Sequence, residues 1–133
     1  MIVVDSSVWI DYFRGESNAH TQRLGECLDQ PVMEVAVADM VVYEVLRGFR
    51  HSKALQDAQN FLLELPMVEI GGIENALLAA EHYRALRARG YTIASPIDVL
   101  LASYCITHDH LLLHRDADFD VMKTLRGLKA WSH

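Results

Sequence analysis

The sequence predicts an α/β protein with a short, mostly parallel sheet between layers of helices. Short runs of apolar, strand-forming residues, such as Met1–Val4 and Leu111–Leu113, alternate with segments in which apolar residues recur every three or four positions. Strands that are separated by helices pair in parallel, and a parallel sheet needs cover on both faces. The 133 residues, 51% hydrophobic and 23% charged, suit one globular domain, which we expect to span 1–133.

The first half of the chain contains two predicted strands and four predicted helices. Ser6 and Ser7 can cap the first helix, and Gly15 suits its end. Asp39 can cap the third helix, and Pro66 closes the fourth. In chain order the elements are a strand at Met1–Val4, helices at Val8–Phe13 and Asn18–Asp29, a strand at Glu34–Ala38, and helices at Met40–Gly48 and Ser52–Leu65.

The second half of the chain repeats the alternation. Gly90 suits the end of the longest helix, and Ser95-Pro96 opens the next one, with Ser as the cap and Pro at the first helical position. The elements are a strand at Val68–Ile70, helices at Glu74–Arg89 and Ile97–His108, a strand at Leu111–Leu113, a helix at Asp118–Leu125 and an edge strand at Leu128–Trp131.

Composition argues against a membrane or secreted protein. No apolar run reaches the roughly 18 residues of a membrane span. The start of the chain has no basic region and carries Asp5, so it does not resemble a signal peptide. Cys27 and Cys105 are too few and too far apart for a disulfide framework. We therefore expect a reduced, cytoplasmic protein with no membrane association.

The net charge of −6 is unfavourable for general binding to a phosphate backbone. The position of the acids matters more than their number, however. Setting five acids aside in one metal pocket leaves 13 acidic residues against 12 basic ones, and bound divalent ions offset the pocket further. Global charge therefore does not exclude a nucleic acid as substrate.

Three acids stand where an α/β sheet presents its ligand crevice, beyond the carboxyl ends of the strands. Asp5 directly follows the first strand, Asp116 comes shortly after the Leu111–Leu113 strand, and Asp98 lies in the first turn of a helix. Glu44 and Asp118 are the further candidates. Converging carboxylates repel one another unless a counter-charge is present, and Mg²⁺ binds such oxygen ligands.

Each of these acids also has a purely structural interpretation. Asp5 can be a turn residue that opens the first helix, and Asp98 can form a variant capping box with Ser95. Glu44 can be a solvated helix residue, and a polar loop can account for Asp118. No single acid is specific, so the metal-site hypothesis depends on their joint placement.

Four segments of the chain carry a resemblance to a known family. They resemble, in the right order and over nearly the whole chain, the four motifs of PIN-domain ribonucleases of the VapC toxin type. The segments are Ile2–Gly15, Tyr43–Gly48, Gly90–Ala102 and Leu111–Phe119.

The resemblance implies a fold, a site and an activity. The fold is a three-layer α/β/α sandwich, and the catalytic residues are Asp5, Glu44, Asp98 and Asp116. Asp5, Asp98 and Asp116 are the implied Mg²⁺ ligands, with Mn²⁺ as an alternative ion, and Glu44 orders a water or holds a second ion. The implied activity is Mg²⁺-dependent endonucleolytic cleavage of RNA by a homodimeric toxin of a type II toxin–antitoxin pair, whose partner is a VapB-like antitoxin.

Two residues depart from the family pattern. Ser6 stands where the family often has Thr, and His114 stands where Thr or Ser is common. The role of Asp118 stays unassigned. Arg115, beside the fourth acid, and Arg47, in the second motif, are candidate contacts to the RNA phosphates.

Two other functions share some of these features. A metal-dependent phosphatase or phosphoacceptor domain also has an Asp after its first strand. A phosphatase of the haloacid-dehalogenase type has a second Asp where this chain has Ser7, and a receiver domain has a Lys where this chain has His114 and Arg115. A non-catalytic PIN module that binds RNA or protein typically lacks some of the four acids, all of which are present here.

Two groups of rings leave further alternatives. Three histidines close in sequence leave a zinc site open, but no Cys follows at the usual spacing, so a scattered trio is favoured. Three aromatic residues can stack on RNA bases, although their helical spacing favours a core or interface role. The groups are His108, His110 and His114, and Trp9, Tyr12 and Phe13.

Overall fold

The computed structural model describes residues 1–30 and 33–131, and these residues form four strands and seven helices. The strands are β1 (Ile2–Val4), β2 (Val35–Ala38), β3 (Met67–Val68) and β4 (Leu111–Leu113). The helices are α1 (Ser6–Phe13), α2 (Ala19–Asp29), α3 (Asp39–Leu46), α4 (Ser52–Leu63), α5 (Ile73–Ala88), α6 (Pro96–His108) and α7 (Ala117–Arg126).

The four strands form one parallel sheet in the order β3-β2-β1-β4, which confirms the predicted sheet. In the register, Val3 lies opposite Ala36 of β2 and Leu112 of β4. The chain leaves β1 toward β2 and β3 on one side and returns to β4 on the other. The sheet therefore has a topological switch point between β1 and β4, the position at which open α/β sheets bind ligands.

The helices fall into two packed groups, one of α1 to α4 and one of α5 to α7. Every residue of β1 and β2 is buried, as a sheet covered on both faces requires. The side chain of Trp9 is fully buried, and its ring stacks on Phe13 with 5.7 Å between centroids and meets Phe61 edge-on at 6.1 Å. This aromatic cluster joins α1 to α4, so the core interpretation of Trp9 is the one that the packing favours.

The starts of three helices differ from the predicted caps. Asp5, and not Ser6 or Ser7, is the N-cap of α1. Asp39 lies inside α3, and its carboxylate instead accepts a hydrogen bond from the backbone N–H of Ile70, 31 residues away, at 3.0 Å. Ser95 does occupy the N-cap position of α6 before Pro96, but its side chain makes no capping hydrogen bond. The predicted capping box of Ser95 and Asp98 is therefore wrong, and the Asp98 side chain has no part in capping α6.

The ends of the sheet also differ from the prediction. The third strand is Met67–Val68, shorter and earlier than the predicted Val68–Ile70. The predicted edge strand at Leu128–Trp131 narrows to one parallel bridge between Ala130 and Leu112. Gly15 and Gly90 have φ of 75° and 89°, the left-handed conformation expected after a helix end. Within residues 1–30 and 33–131, no helix combines the length and the hydrophobicity that a membrane span requires.

Candidate active site

The predicted acids lie at the switch point of the sheet. Asp5 follows β1, and its backbone N–H donates to the carbonyl of Leu113 at 2.9 Å, which ties it to the end of β4. Asp116 is the N-cap of α7, just beyond β4. Asp98 is in the first turn of α6, and Glu44 is in α3. Four separate segments of the chain therefore converge on one edge of the sheet.

The carboxylates form two overlapping groups of three. One carboxylate oxygen each from Asp5, Glu44 and Asp98 lie within 4.8 Å of one another, and the same holds for Asp98, Asp116 and Asp118. Asp98 belongs to both groups and is therefore the centre of the cluster. The structure brings together the four acids that the sequence selected and Asp118, the further candidate, as well.

Asp5 has one carboxylate oxygen engaged and one free. Its Oδ2 accepts hydrogen bonds from the hydroxyl of Ser7 at 2.6 Å and from the Ser7 backbone N–H at 3.3 Å. Its Oδ1 is buried without a hydrogen-bond partner. The capping role and the site role are thus compatible, because each uses a different oxygen. Burial raises the pKa of Asp5, against the effect of the Ser7 hydrogen bonds.

Glu44 and Asp98 are shifted in the same direction. Burial, followed by the nearby charge of Asp5, raises the pKa of Glu44, while Ser6 and Arg47 oppose the shift. The Oε1 atom of Glu44 is buried without a hydrogen-bond partner, so the solvated-helix interpretation of this residue is wrong. Burial and then the charges of the surrounding carboxylates raise the pKa of Asp98 to about 7.

The fourth motif forms the other side of the cluster. The Oδ1 atom of Asp116 accepts a hydrogen bond from the backbone N–H of Asp118 at 2.9 Å, which opens α7. Burial and the charge of Asp116 raise the pKa of Asp118. His114 is buried directly after β4, and burial lowers its pKa despite the carboxylates around it. The alternation of acids at positions 116 and 118 also suits a polar loop and a helix cap, and Asp116 does cap α7.

The two candidate phosphate contacts are differently placed. Arg115 makes an ion pair with Asp11, a buried residue of α1 that also accepts a hydrogen bond from Asn18 at 3.2 Å. Its side chain is still 46% exposed. The guanidinium of Arg47 lies 5.2 Å from the ring centroid of Tyr43, the residue that precedes Glu44. Sequence reasoning did not identify Asp11 as a partner of Arg115, because the two are 104 positions apart.

The cluster has the properties of a site for a hard divalent cation. It offers only carboxylate oxygens, which Mg²⁺ and Mn²⁺ bind readily. Two of those oxygens, on Asp5 and Glu44, are buried without hydrogen bonds, a costly arrangement unless a cation or a proton is supplied. The raised pKa values report the same lack of counter-charge. The residues present therefore fit a divalent metal ion.

The alternative ring groups lie elsewhere. His108 and His110 stack with their centroids 5.9 Å apart, and His108 also packs on Tyr104 at 4.2 Å. His114 instead packs on Phe119 at 4.9 Å. Within the described part of the chain, no group of three metal-ligating side chains contains a histidine, so the structure does not assemble a zinc site from the trio.

Comparison with known proteins identifies the family to which this site belongs. The family model of the PIN domain matches residues 2–125, which contain all five clustered acids. The chain belongs to the PIN-domain family. This PIN domain is 30% identical over 132 residues to ribonuclease VapC11 of Mycobacterium tuberculosis, an alignment that covers 99% of this chain and 98% of the relative. The resemblance to PIN-domain ribonucleases of the VapC type is therefore confirmed, and the family is one of nucleases.

Solved structures share the fold. VapBC2 from Rickettsia felis, bound to a DNA fragment from its promoter, matches with a TM-score of 0.77 at 15% identity and covers 98% of both chains. A toxin–antitoxin complex from Klebsiella pneumoniae matches with a TM-score of 0.67 at 17% identity, covering 99% of this chain and 97% of the other. These likenesses confirm the predicted three-layer α/β/α fold of the PIN domain.

Proposed function

We propose that this PIN domain is a Mg²⁺-dependent endoribonuclease and the toxin of a type II toxin–antitoxin pair. The observation that carries the proposal is the convergence of four other carboxylates on Asp98, with unpartnered buried oxygens on Asp5 and Glu44. The 30% identity to a VapC ribonuclease over nearly the whole chain supports RNA as the substrate.

The four acids selected from the sequence divide the work by position. Asp5, Asp98 and Asp116 would hold the metal ion, with Asp98 as the link, because it shares one group of carboxylates with Asp5 and the other with Asp116. A Mg²⁺ ion held there would supply the activation of a water molecule and the stabilisation of negative charge that phosphodiester hydrolysis requires. Glu44 has a free, buried Oε1 beside Asp5, and it orients the attacking water or contributes to a second ion. Asp118 completes the second group of ligands.

The substrate reaches the cluster past two basic side chains. A cavity of about 500 Å³ adjoins Asp116 and is lined by Arg115 and Trp131 among others. Arg115 contacts the RNA phosphates on this side. The ion pair between its Nη1 atom and Asp11 fixes the position of the guanidinium. Arg47 guides the backbone on the side of α3. Phosphate contacts of this kind fix the position of RNA but not its sequence.

The partners are part of the same proposal. A VapB-like antitoxin covers a groove of about 400 Å³ whose lining includes Phe13 and Phe49 together with the basic side chains Arg14 and Arg50. The chain forms a homodimer in the cytoplasm. Light scattering checks the dimer, because one chain has a mass of 15.1 kDa.

Cleavage of RNA by the purified protein tests the function directly. We expect wild type to cut RNA internally in Mg²⁺ or Mn²⁺, and chelator to abolish the cleavage. Asp5→Asn removes a ligand without changing the size of the side chain, and we expect it to lower the rate by roughly 100-fold or more. Asp57→Asn is the matched control, because Asp57 is exposed and pairs with Lys53 in α4.

Three outcomes contradict the proposal. Cleavage that persists in chelator contradicts the metal-dependent mechanism. Turnover of phosphomonoesters without RNA cleavage indicates a phosphatase. Binding of RNA without cleavage under any metal condition indicates a non-catalytic module.

A further inference from the structure

His114 makes an unusual contact to the backbone of the site. It follows β4 directly, and its ring is 5% exposed. The ring Nδ1 accepts a hydrogen bond from the backbone N–H of Asp116 at 3.1 Å. An acceptor on a side chain that binds the N–H two residues later closes a tight turn, as Asn and Asp side chains do in Asx turns.

A second turn of the same kind follows the first. The Oδ1 atom of Asp116 accepts the hydrogen bond from the N–H of Asp118 at 2.9 Å. Two consecutive turns therefore lead from His114 to Asp116 and from Asp116 to Asp118. These two acids and Asp98 make up one of the two carboxylate groups. The direction in which Asp116 enters the cluster depends on the first turn.

The hydrogen bond also fixes the form of the ring. Because Nδ1 accepts a hydrogen bond, it carries no proton, and the neutral ring has its proton on Nε2. Nε2 is buried without a hydrogen-bond partner, 3.8 Å from a carboxylate oxygen of Asp120. The ring packs on Phe119 of α7, with 4.9 Å between centroids. The imidazole is thus held by packing on one side and by the turn on the other.

We propose that His114 is a positioning residue, which aims the carboxylates of Asp116 and Asp118 at the metal through the acceptor Nδ1. The inference rests on the proposed function, since it concerns the same metal site. The competing explanation is that His114 only fills space beneath α7. The two explanations make opposite predictions for two substitutions.

His114→Asn keeps an acceptor, because the Asn Oδ1 stands near the place of the ring Nδ1, but it loses much of the bulk. His114→Leu keeps most of the bulk and loses the acceptor. If His114 positions the acids, Asn retains the affinity for Mn²⁺ within about 3-fold, whereas Leu weakens it by about 10- to 100-fold, the usual cost of losing a group that orients a ligand. If His114 only fills space, Leu retains the affinity and Asn loses it.

Calorimetric titration of the metal-free chains with Mn²⁺ measures these affinities, and thermal unfolding confirms that each variant is folded. Asp120→Asn is the matched control, since Asp120 faces Nε2 and lies outside both turns. We expect it to bind Mn²⁺ like wild type. Equal affinities for wild type and His114→Leu overturn the role of His114 and leave the proposed function intact. A wild type that binds no Mn²⁺ overturns the proposed function and, with it, this role.

A second measurement needs neither a variant nor a metal. Long-range ¹H–¹⁵N correlation spectra of the metal-free wild type distinguish the two neutral tautomers of each histidine. We expect His114 to carry its proton on Nε2, with Nδ1 showing the shift of a hydrogen-bonded acceptor. A proton on Nδ1 is incompatible with the turn and overturns the inference, even if His114→Leu does not fold.

Discussion

Asp98 belongs to both groups of carboxylates, and its protonation is linked to the free energy of unfolding. Its pKa is raised from 3.8 to about 7 in the folded, metal-free chain. Between those values the folded state binds more protons than the unfolded state, so stability is greatest at low pH and falls as pH rises toward 7. We expect metal-free wild type to lose on the order of 1–3 kcal/mol of unfolding free energy between about pH 4.5 and pH 8.

Asp98→Asn removes most of this dependence. In chelator at pH 8 we expect the Asn variant to be more stable than wild type, with the difference shrinking as pH falls. Mg²⁺ added at pH 8 stabilises wild type, because it binds the folded state, and has little effect on the variant. Urea unfolding in chelator and in Mg²⁺ measures both effects. A variant less stable than wild type at pH 8 in chelator would indicate that Asp98 is structural.

All five clustered acids were candidates from the sequence: Asp5, Asp98 and Asp116 by their places after a strand or at the start of a helix, Glu44 through the family resemblance, and Asp118 as a possible fifth member. Sequence could not predict that the two oxygens of one carboxylate have different hydrogen-bonding environments. Asp5 was expected to be either a turn residue or a ligand, and the structure shows one oxygen in each environment. The burial of Glu44 depends on packing against distant segments, which periodicity within α3 does not record.

At the level of elements, the prediction is accurate where the local signal is strong. Apolar runs located β1 and β4, and glycines located the ends of α1 and α5. The prediction is wrong where a long-range contact decides. The carboxylate of Asp39 accepts a hydrogen bond from the N–H of Ile70 and does not cap its own helix. Strand β3 is two residues long because it pairs only with the end of β2. Propensity is a weak prior when tertiary contacts compete with it.

The ion pair of Arg115 and Asp11 joins α1 to the segment between β4 and α7. Asp11 is buried, so removal of the guanidinium leaves a carboxylate with Asn18 as its remaining side-chain donor. We expect Arg115→Gln to destabilise the fold by about 1–2 kcal/mol, a value reduced by the half-exposed position of Arg115. Urea unfolding measures it.

Arg23→Gln is the control for that substitution. Arg23 pairs with the exposed Glu26 in α2 at 3.5 Å, and such a surface pair contributes little. We expect a change below about 0.5 kcal/mol for it. Equal losses of stability for Arg115→Gln and Arg23→Gln would show that Asp11 does not depend on its partner.

The protein carries a net charge of −6, yet the proposed substrate, RNA, is itself a polyanion. Concentrating acids at one edge of the sheet resolves part of this conflict, since the divalent cation that we propose would neutralise that edge and leave the remaining charges nearly balanced. The basic contacts that we assign to RNA are few, however, since they are Arg47 and Arg115 alone. Binding through so few phosphates is weak and depends on salt in proportion to their number.

The salt dependence of RNA binding therefore counts the contacts. For the Asp5→Asn variant in chelator, which holds RNA without cutting it, two phosphate contacts give a slope of log affinity against log salt of about −1 to −2. The affinity then falls about 4- to 16-fold between 50 and 200 mM salt. Fluorescence anisotropy with labelled single-stranded RNA measures the slope, and Arg47→Gln reduces its size by about 1 if Arg47 contacts a phosphate. A slope steeper than about −4 indicates a broader basic surface, and an affinity insensitive to salt means that stacking and hydrogen bonds to uncharged groups, rather than the two arginines, hold the RNA.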